Sequence, residues 1–316
     1  MPDFLHDHRD FATLIVNVSR QQHIDPSLVE KDYWIMHVLW GLQQLGFKLE
    51  LKGGTSLSKA HHIIERFSED IDICIAPDEA ACGFKVFTGK NHDKPKHIDS
   101  RRSYYDWVCG HLRGKIPGIT HAARDVEFDD TKYRSGGIRL TYEATYPTTG
   151  GIKEGILLEL GFGETTPNEP KTISSWAWDE ASKFEDVFDN RAMDVRCYDH
   201  RYTFVEKLQT IMTKYRNFKD TGDTPKNFLR HYYDVYQLLD KKDVQAFIGS
   251  DEYRKVKAAR FSNADKEYSI EVPFRLSGED RARFEDEYQR TSSLYYRGQP
   301  LLSDILDRIN RYTNRL

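Results

Sequence analysis

The stretch that most limits what this chain can become is LKGGTSLSKAHHIIERFSEDIDICI, residues 51–75. A short strand over 48–52 runs into Gly53-Gly54, and glycines let a turn bring its backbone close to a bound group. Thr55 and Ser56 follow, at the start of a helix expected over about 55–66. Hydroxyls and free amides at such a start suit phosphate. A second strand over 69–76 alternates Ile71, Ile73 and Ile75 with Asp70, Asp72 and Cys74. Side chains two apart on a strand share a face, so Asp70 and Asp72 stand together while the isoleucines enter a core. Paired carboxylates repel, and a divalent cation such as Mg²⁺, which takes oxygen ligands and also contacts phosphates, gives them a reason to be close. Asp-x-Asp alone fits a solvated edge strand. Gly-Gly-Thr-Ser upstream of it turns the reading toward chemistry.

The rest of the chain divides in two. Helices are expected over 4–22 and 27–46, the second capped by Asp25 or Ser27 with Pro26 near its first position and closed by Gly46. Residues 77–100 read as a polar loop, 101–114 as a helix, and 137–146 and 155–162 as strands joined by a Gly-Gly turn at 150–151. From about 203 the pattern is helical, over 203–217, 226–241, 243–258, 279–291 and 301–314. The expected class is α/β (α+β), with an α/β domain over 1–195 and a helical domain over 196–316. A length of 316 residues suits two domains at roughly 100–200 residues each. With 39% hydrophobic and 30% charged residues, a core is affordable and disorder is excluded. No apolar run approaches the roughly 18–20 residues of a spanning helix. MPDFLHDHRDF lacks a secretion signal's basic-then-apolar order. A cytoplasmic protein with no membrane partner is expected.

Several tempting motifs fail. GFKVFTGKN at 83–91 has the wrong spacing, and Asn in place of Ser/Thr, for a phosphate-binding P-loop. No HExxH, nucleophile elbow or GxGxxG occurs, so zinc, acyl-enzyme and dinucleotide chemistry are not expected. Cys74, Cys82, Cys109 and Cys197 match no disulfide or metal spacing and read as reduced thiols. Net charge is −4, but residues 85–115 carry Lys85, Lys90, Lys94, Lys96, Arg101, Arg102, Arg113 and Lys115 against three Asp. By charge alone this is a phosphate-binding surface or a solvated loop. Tyr104, Tyr105 and Trp107 beside Arg101 and Arg102 fit RNA stacking or the buried face of a helix.

The Gly-Gly-Thr-Ser and Asp-Ile-Asp blocks resemble the nucleotidyltransferase superfamily of DNA polymerase β. GGTSLSK…RFSEDIDI, EKDYWIMHVL at 30–39, EKLQTI at 206–211, RHYYDVYQLL at 230–239 and YQRTSSLYYRGQPLLSDIL at 288–306 together resemble the AbiEii/AbiGii toxin family, which includes the MenT toxins. Residues 77–135 and 163–200 carry no such resemblance. It implies a polymerase β-like core with a short mixed sheet and a helical C-terminal lobe. It implies a toxin of a toxin–antitoxin or phage-defence system that moves an NMP from an NTP to RNA, with the tRNA 3′ end as acceptor and two Mg²⁺ ions. The cognate antitoxin need not bind it directly. On that resemblance Asp70, Asp72 and a third acid hold metal. Glu159 in LLELGF is taken as the third acid, with Glu143 in LTYEATY its rival, although the family position is often Asp. Gly53, Gly54, Thr55, Ser56 and Lys59 would meet the nucleotide, the glycines and Ser56 at its terminal phosphates. Lys207 matches the lysine of the helical lobe, aimed at triphosphate. Asp234 matches its acid, which holds Lys207 or Arg230 or acts in transfer. Residues 85–115 become the candidate RNA surface. A protein-modifying nucleotidyltransferase and a non-catalytic nucleotide- or RNA-binding module stand as alternatives.

Overall fold

The computed structural model describes residues 3–89, 91–148, 152–163, 165–184, 186–225 and 227–316, so the Gly-Gly turn at 150–151 and Lys90 lie outside the described residues. The chain forms two compact units. One comprises residues 1–60 and 67–198, the other 61–66 and 199–316.

The first unit opens with α1 (Phe11–Gln22) and α2 (Pro26–Gln44). Asp25 caps α2 by accepting the Ser27 N–H at 2.9 Å, with Pro26 leading the first turn. β1 (Leu49–Leu51), α3 (Gly53–Thr55), a π-helical turn at Ser56–Ala60 and β2 (Asp70–Ile75) form the signature. α4 (Glu79–Cys82), α5 (Pro95–Leu112), β3 (Ile119–Asp125), β4 (Ser135–Tyr142), β5 (Ile156–Gly161), β6 (Asn168–Ile173), α6 (Trp176–Ala181) and β7 (Ala192–Tyr198) complete it. The seven strands form one mixed sheet in the order β3-β4-β5-β2-β1-β7-β6. β2 pairs antiparallel with β1 and parallel with β5, and β1 pairs parallel with β7. Ile71, Ile73, Leu158 and Leu160 are fully buried, which fixes the opposite face of β2 and β5 as the acidic one.

Helix α2 is buried nearly all round, and three consecutive charges, Glu30, Lys31 and Asp32, go under with it. Burying charge is costly unless each group is paired. Glu30 accepts the N–H groups of Thr145 and Tyr146, both at 2.9 Å. Lys31 donates to the Lys153 carbonyl at 2.6 Å and lies 3.8 Å from the Glu69 carboxylate. Asp32 accepts from Lys59 at 2.6 Å and from the Trp176 N–H at 2.9 Å. Near the N-terminus, His6 Nδ1 meets the Tyr33 hydroxyl at 2.7 Å, and Asn190 reaches both that hydroxyl at 3.1 Å and His37 Nδ1 at 2.8 Å. Burial pushes the imidazoles of His6 and His37 down to about 4.

The helix expected over 55–66 is shorter. It tightens into the π-helical turn, ends at Ala60, and His62 takes φ 51°. Residues 61–66 instead join the second unit, where Arg66 bridges to Tyr295 and the Glu65 N–H donates to the Tyr233 hydroxyl at 3.2 Å. That unit is built from α7 (His200–Thr221), α8 (Leu229–Leu238), α9 (Lys242–Phe247), α10 (Asp251–Arg260), α11 (Asn263–Lys266), α12 (Gly278–Gln289) and α13 (Leu302–Asn310). Phe204, Leu208, Ile211, Tyr232, Val235 and Ile305 fill its core. The helix expected over 243–258 is two helices, broken at Gly249 (φ 80°) with Ser250 capping the second. Among the described residues no helix is long and apolar enough to cross a membrane.

Candidate active site

The acidic face of the sheet gathers three carboxylates. Asp70 and Asp72 stand two apart on β2, and Glu159 on parallel β5 is the direct register partner of Asp72. All three are half-buried. The Glu159 carboxyl is pushed up to about 9, first by burial, then by the Asp72 charge and a hydrogen bond shared with Asp72, and by Asp70; Lys52 opposes weakly. Glu143, the rival third acid, is exposed and sits just past the end of β4, outside this register.

The glycine turn lies against these acids. Gly53 has φ 69°, and a Cβ there would fall 1.9 Å from Asp72 Oδ2, so both backbone and space demand glycine. The Lys52 N–H donates to the Asp72 carbonyl at 2.9 Å, and the Thr55 hydroxyl donates to the Asp70 carbonyl at 2.5 Å. Ser56 is fully buried, facing the Cys197 thiol. Lys59, besides its bond to Asp32, lies 5.1 Å from the Trp176 ring centre. The side chains of Thr55 and Lys59 thus tie the turn to the sheet and to α2, while the buried Ser56 hydroxyl makes no hydrogen bond among the described residues.

An all-oxygen donor set with a carboxyl held protonated by its neighbours is short of positive charge, which a hard divalent cation supplies. The residues therefore fit Mg²⁺ by chemistry and register. As the side chains stand, Asp72 is turned onto Gly53, and among the described residues no three acidic, His or Cys side chains close around one point.

The second unit carries the other two expected residues. Asp234 is fully buried, with Lys207 at 2.9 Å and Arg66 bidentate at 2.7 and 2.8 Å. Burial alone would raise the Asp234 carboxyl; Arg66 and then Lys207 outweigh it and hold it far below the usual carboxylate range. Asp234 therefore partners Lys207 and Arg66, a second use of the signature segment that its sequence did not announce.

The basic stretch is thinner than its composition suggests. Arg101 is fully buried and donates to the carbonyls of Phe87, His92 and Lys132, so it serves the fold and not a surface. Tyr104 and Tyr105 are likewise buried, while Lys85, Lys94, Lys96, Arg102, Arg113 and Lys115 are exposed. Asp32 was missed as a site residue. Its signal was available: a charge triplet inside an otherwise apolar helix.

The profile of the family described as nucleotidyl transferase AbiEii toxin, type IV toxin–antitoxin system, matches residues 37–308. Among solved structures, MenT4, a nucleotidyltransferase toxin of Mycobacterium tuberculosis H37Rv, superposes with a TM-score of 0.56 at 15% identity, over 96% of this chain and 90% of that one. An antigenic nucleotidyltransferase-like protein of Paracoccidioides brasiliensis gives 0.36 at 13% identity, over 73% and 87%. No curated protein matches by sequence.

Proposed function

Because the chain belongs to the AbiEii nucleotidyltransferase toxin family, type IV toxin–antitoxin systems, we propose that it transfers an NMP from an NTP to RNA, at the 3′ end of tRNA, with Mg²⁺ held by Asp70, Asp72 and Glu159. The observation that carries this reading is the register of Asp72 against Glu159 with Asp70 alongside, directly beneath the Gly53 turn. Bound Mg²⁺ supplies charge neutralisation for the phosphates and acidity for the attacking hydroxyl. The backbone of Gly53 and Gly54, with the Ser56 hydroxyl, receives the terminal phosphates, and Thr55 and Lys59 hold that backbone still. Asp70, Asp72 and Glu159 fix where the reacting phosphorus sits, so transfer is mainly positioning and electrostatics. Arg66, Lys207 and Asp234 together keep one net positive charge, suited to triphosphate oxygens, with Asp234 positioning Lys207. The exposed lysines and arginines of 85–115 receive the RNA backbone. The consequence is arrested translation in the cytoplasm, relieved by an antitoxin that need not touch the toxin, in a setting of phage defence.

The test is a labelling assay with Mg²⁺, total bacterial RNA and each α-labelled NTP in turn, beside Asp70→Ala. Label in a tRNA-sized band with one NTP, absent in the variant, is the expected result. Label in protein alone overturns the RNA acceptor, and nucleotide binding without pyrophosphate release overturns turnover.

A further inference from the structure

The helical unit carries a cavity of about 410 Å³ that the reaction as described does not use. It opens between α10, α11 and residues 314–316. Arg254 and Lys257 line it from α10, Lys266 from the end of α11 and Arg315 from the C-terminal segment. Among the described residues, no Asp or Glu lines it. Neighbouring acids on these two helices are turned elsewhere. Glu252 accepts from the Tyr202 hydroxyl, and the buried Asp265 accepts from Arg216 at 2.6 Å and from Thr213 at 3.0 Å, all three partners on α7. One side of α10 and α11 is thereby spent on α7, and the side facing the cavity is left positive.

What these four cations meet inside the protein does not balance them. Lys266 donates to the Ala258 carbonyl at 3.1 Å, and Arg315 to the carbonyls of Gln245 and Ile248, both at 3.0 Å. Lys257 donates to a main-chain oxygen of Leu316, which the Tyr253 hydroxyl also holds at 2.9 Å. Arg254 meets the Asp251 carboxylate at 2.6 Å, but both side chains are mostly exposed, where an ion pair is weak. Carbonyls orient a cation and carry no formal charge. Even with Asp251 set against Arg254, and a carboxylate at Leu316 set against Lys257, the charges of Lys266 and Arg315 are uncompensated by any acid among the described residues. Burial pushes the Lys257 ammonium down, the direction expected where a cation is short of negative charge.

Converging cations with no acid among them call for an anion. Tyr253 and Phe261, the rings of the cavity, are buried, so it offers no projecting anchor of the kind that centres a protein interface. Arg254, Lys266 and Arg315 are exposed and come from three separate segments, a spread that suits successive phosphates of one backbone. We propose that this cavity docks the phosphate backbone of the acceptor RNA, in addition to residues 85–115. Such contacts position the RNA and add affinity without reading its sequence or touching the reacting atoms. The proposal rests on the RNA-acceptor reading above.

Arg254→Glu combined with Lys266→Glu reverses two exposed charges at the rim. In steady-state labelling of tRNA, this double variant should raise the acceptor KM roughly tenfold or more. The NTP KM, kcat at saturating tRNA and the melting temperature should be unchanged. In direct tRNA binding, the slope of log affinity against log salt should become shallower by about one to two. Lys266→Arg, which keeps the charge, should bind as the wild type does. An acceptor KM and a salt slope both unchanged in the double variant, with RNA still labelled by the wild type, overturn the proposal and leave the RNA-acceptor reading intact. Loss of inorganic phosphate binding without loss of tRNA affinity overturns it equally. If the double variant unfolds, Lys266→Glu alone decides by the same readouts. Wild-type protein that labels no RNA removes the reading itself, and the proposal with it.

Discussion

At the scale of single residues, the acids and the glycine beside them make separable demands. Asp70→Asn should lower transfer by at least about 10³-fold while leaving the fold intact, checked by labelling and by thermal melting. Glu159→Gln replaces a carboxyl already held protonated in the metal-free protein with a neutral amide, so melting in metal-free buffer near neutral pH should change little, while transfer falls because the amide cannot ionise to hold a cation. Gly53→Ala meets both a left-handed backbone and Asp72, and should abolish transfer. Gly46→Ala, at φ 79° with open space around it, is the control: it should cost about 1–2 kcal/mol in denaturant unfolding and keep full activity.

At the scale of elements, α2 is the brace of the site. Asp32 has no exposure, and removing its charge strands Lys59. Asp32→Asn should therefore destabilise by about 3–5 kcal/mol in urea unfolding. Asp32→Leu with Lys59→Met together should cost much less than the sum of the singles, as a double-mutant cycle reads directly. How far such elements can be read from sequence depends on what buries them. β2 and β5 show clean alternation because one face is core, and they were legible with their acids. β3 and β6 are the two edges of the sheet, and their polar runs ITHAARD and NEPKTI carry no such signal. β7 was hidden among mixed residues for lack of a motif. The break at Gly249-Ser250 was visible as a stop followed by a cap. The early end of the helix after Gly53 was not, because it is imposed by Arg66 reaching Asp234, a contact far away in sequence. The partners of Thr55 and Lys59 were not legible for a related reason: their residue types suit phosphate, and the Asp70 carbonyl and Asp32 that they also meet lie far away in sequence.

At the scale of the whole molecule, acid should find the N-terminal cluster first. His6 and His37 take up protons near 6.5 when unfolded and only near 4 when folded. Their folded values are depressed, so the unfolded chain binds more protons between those limits and stability falls as pH drops from 6.5 toward 4. Chemical unfolding at pH 7 and pH 4.5 should show that fall, and a variant lacking His37 should show a shallower one. Asp234 acts further down, keeping its contribution until pH drops below its unfolded value of 3.8. The excursion of residues 61–66 has a different consequence, for genetic dissection. The chain leaves the first unit between the glycine turn and the paired aspartates and returns only after Arg66 has met its counter-ion. A gene fragment stopping at 198 keeps Asp70, Asp72 and Glu159 yet deprives Arg66 of Asp234. Loss-of-function truncations should consequently scatter across the last third of the reading frame, and split halves should not complement.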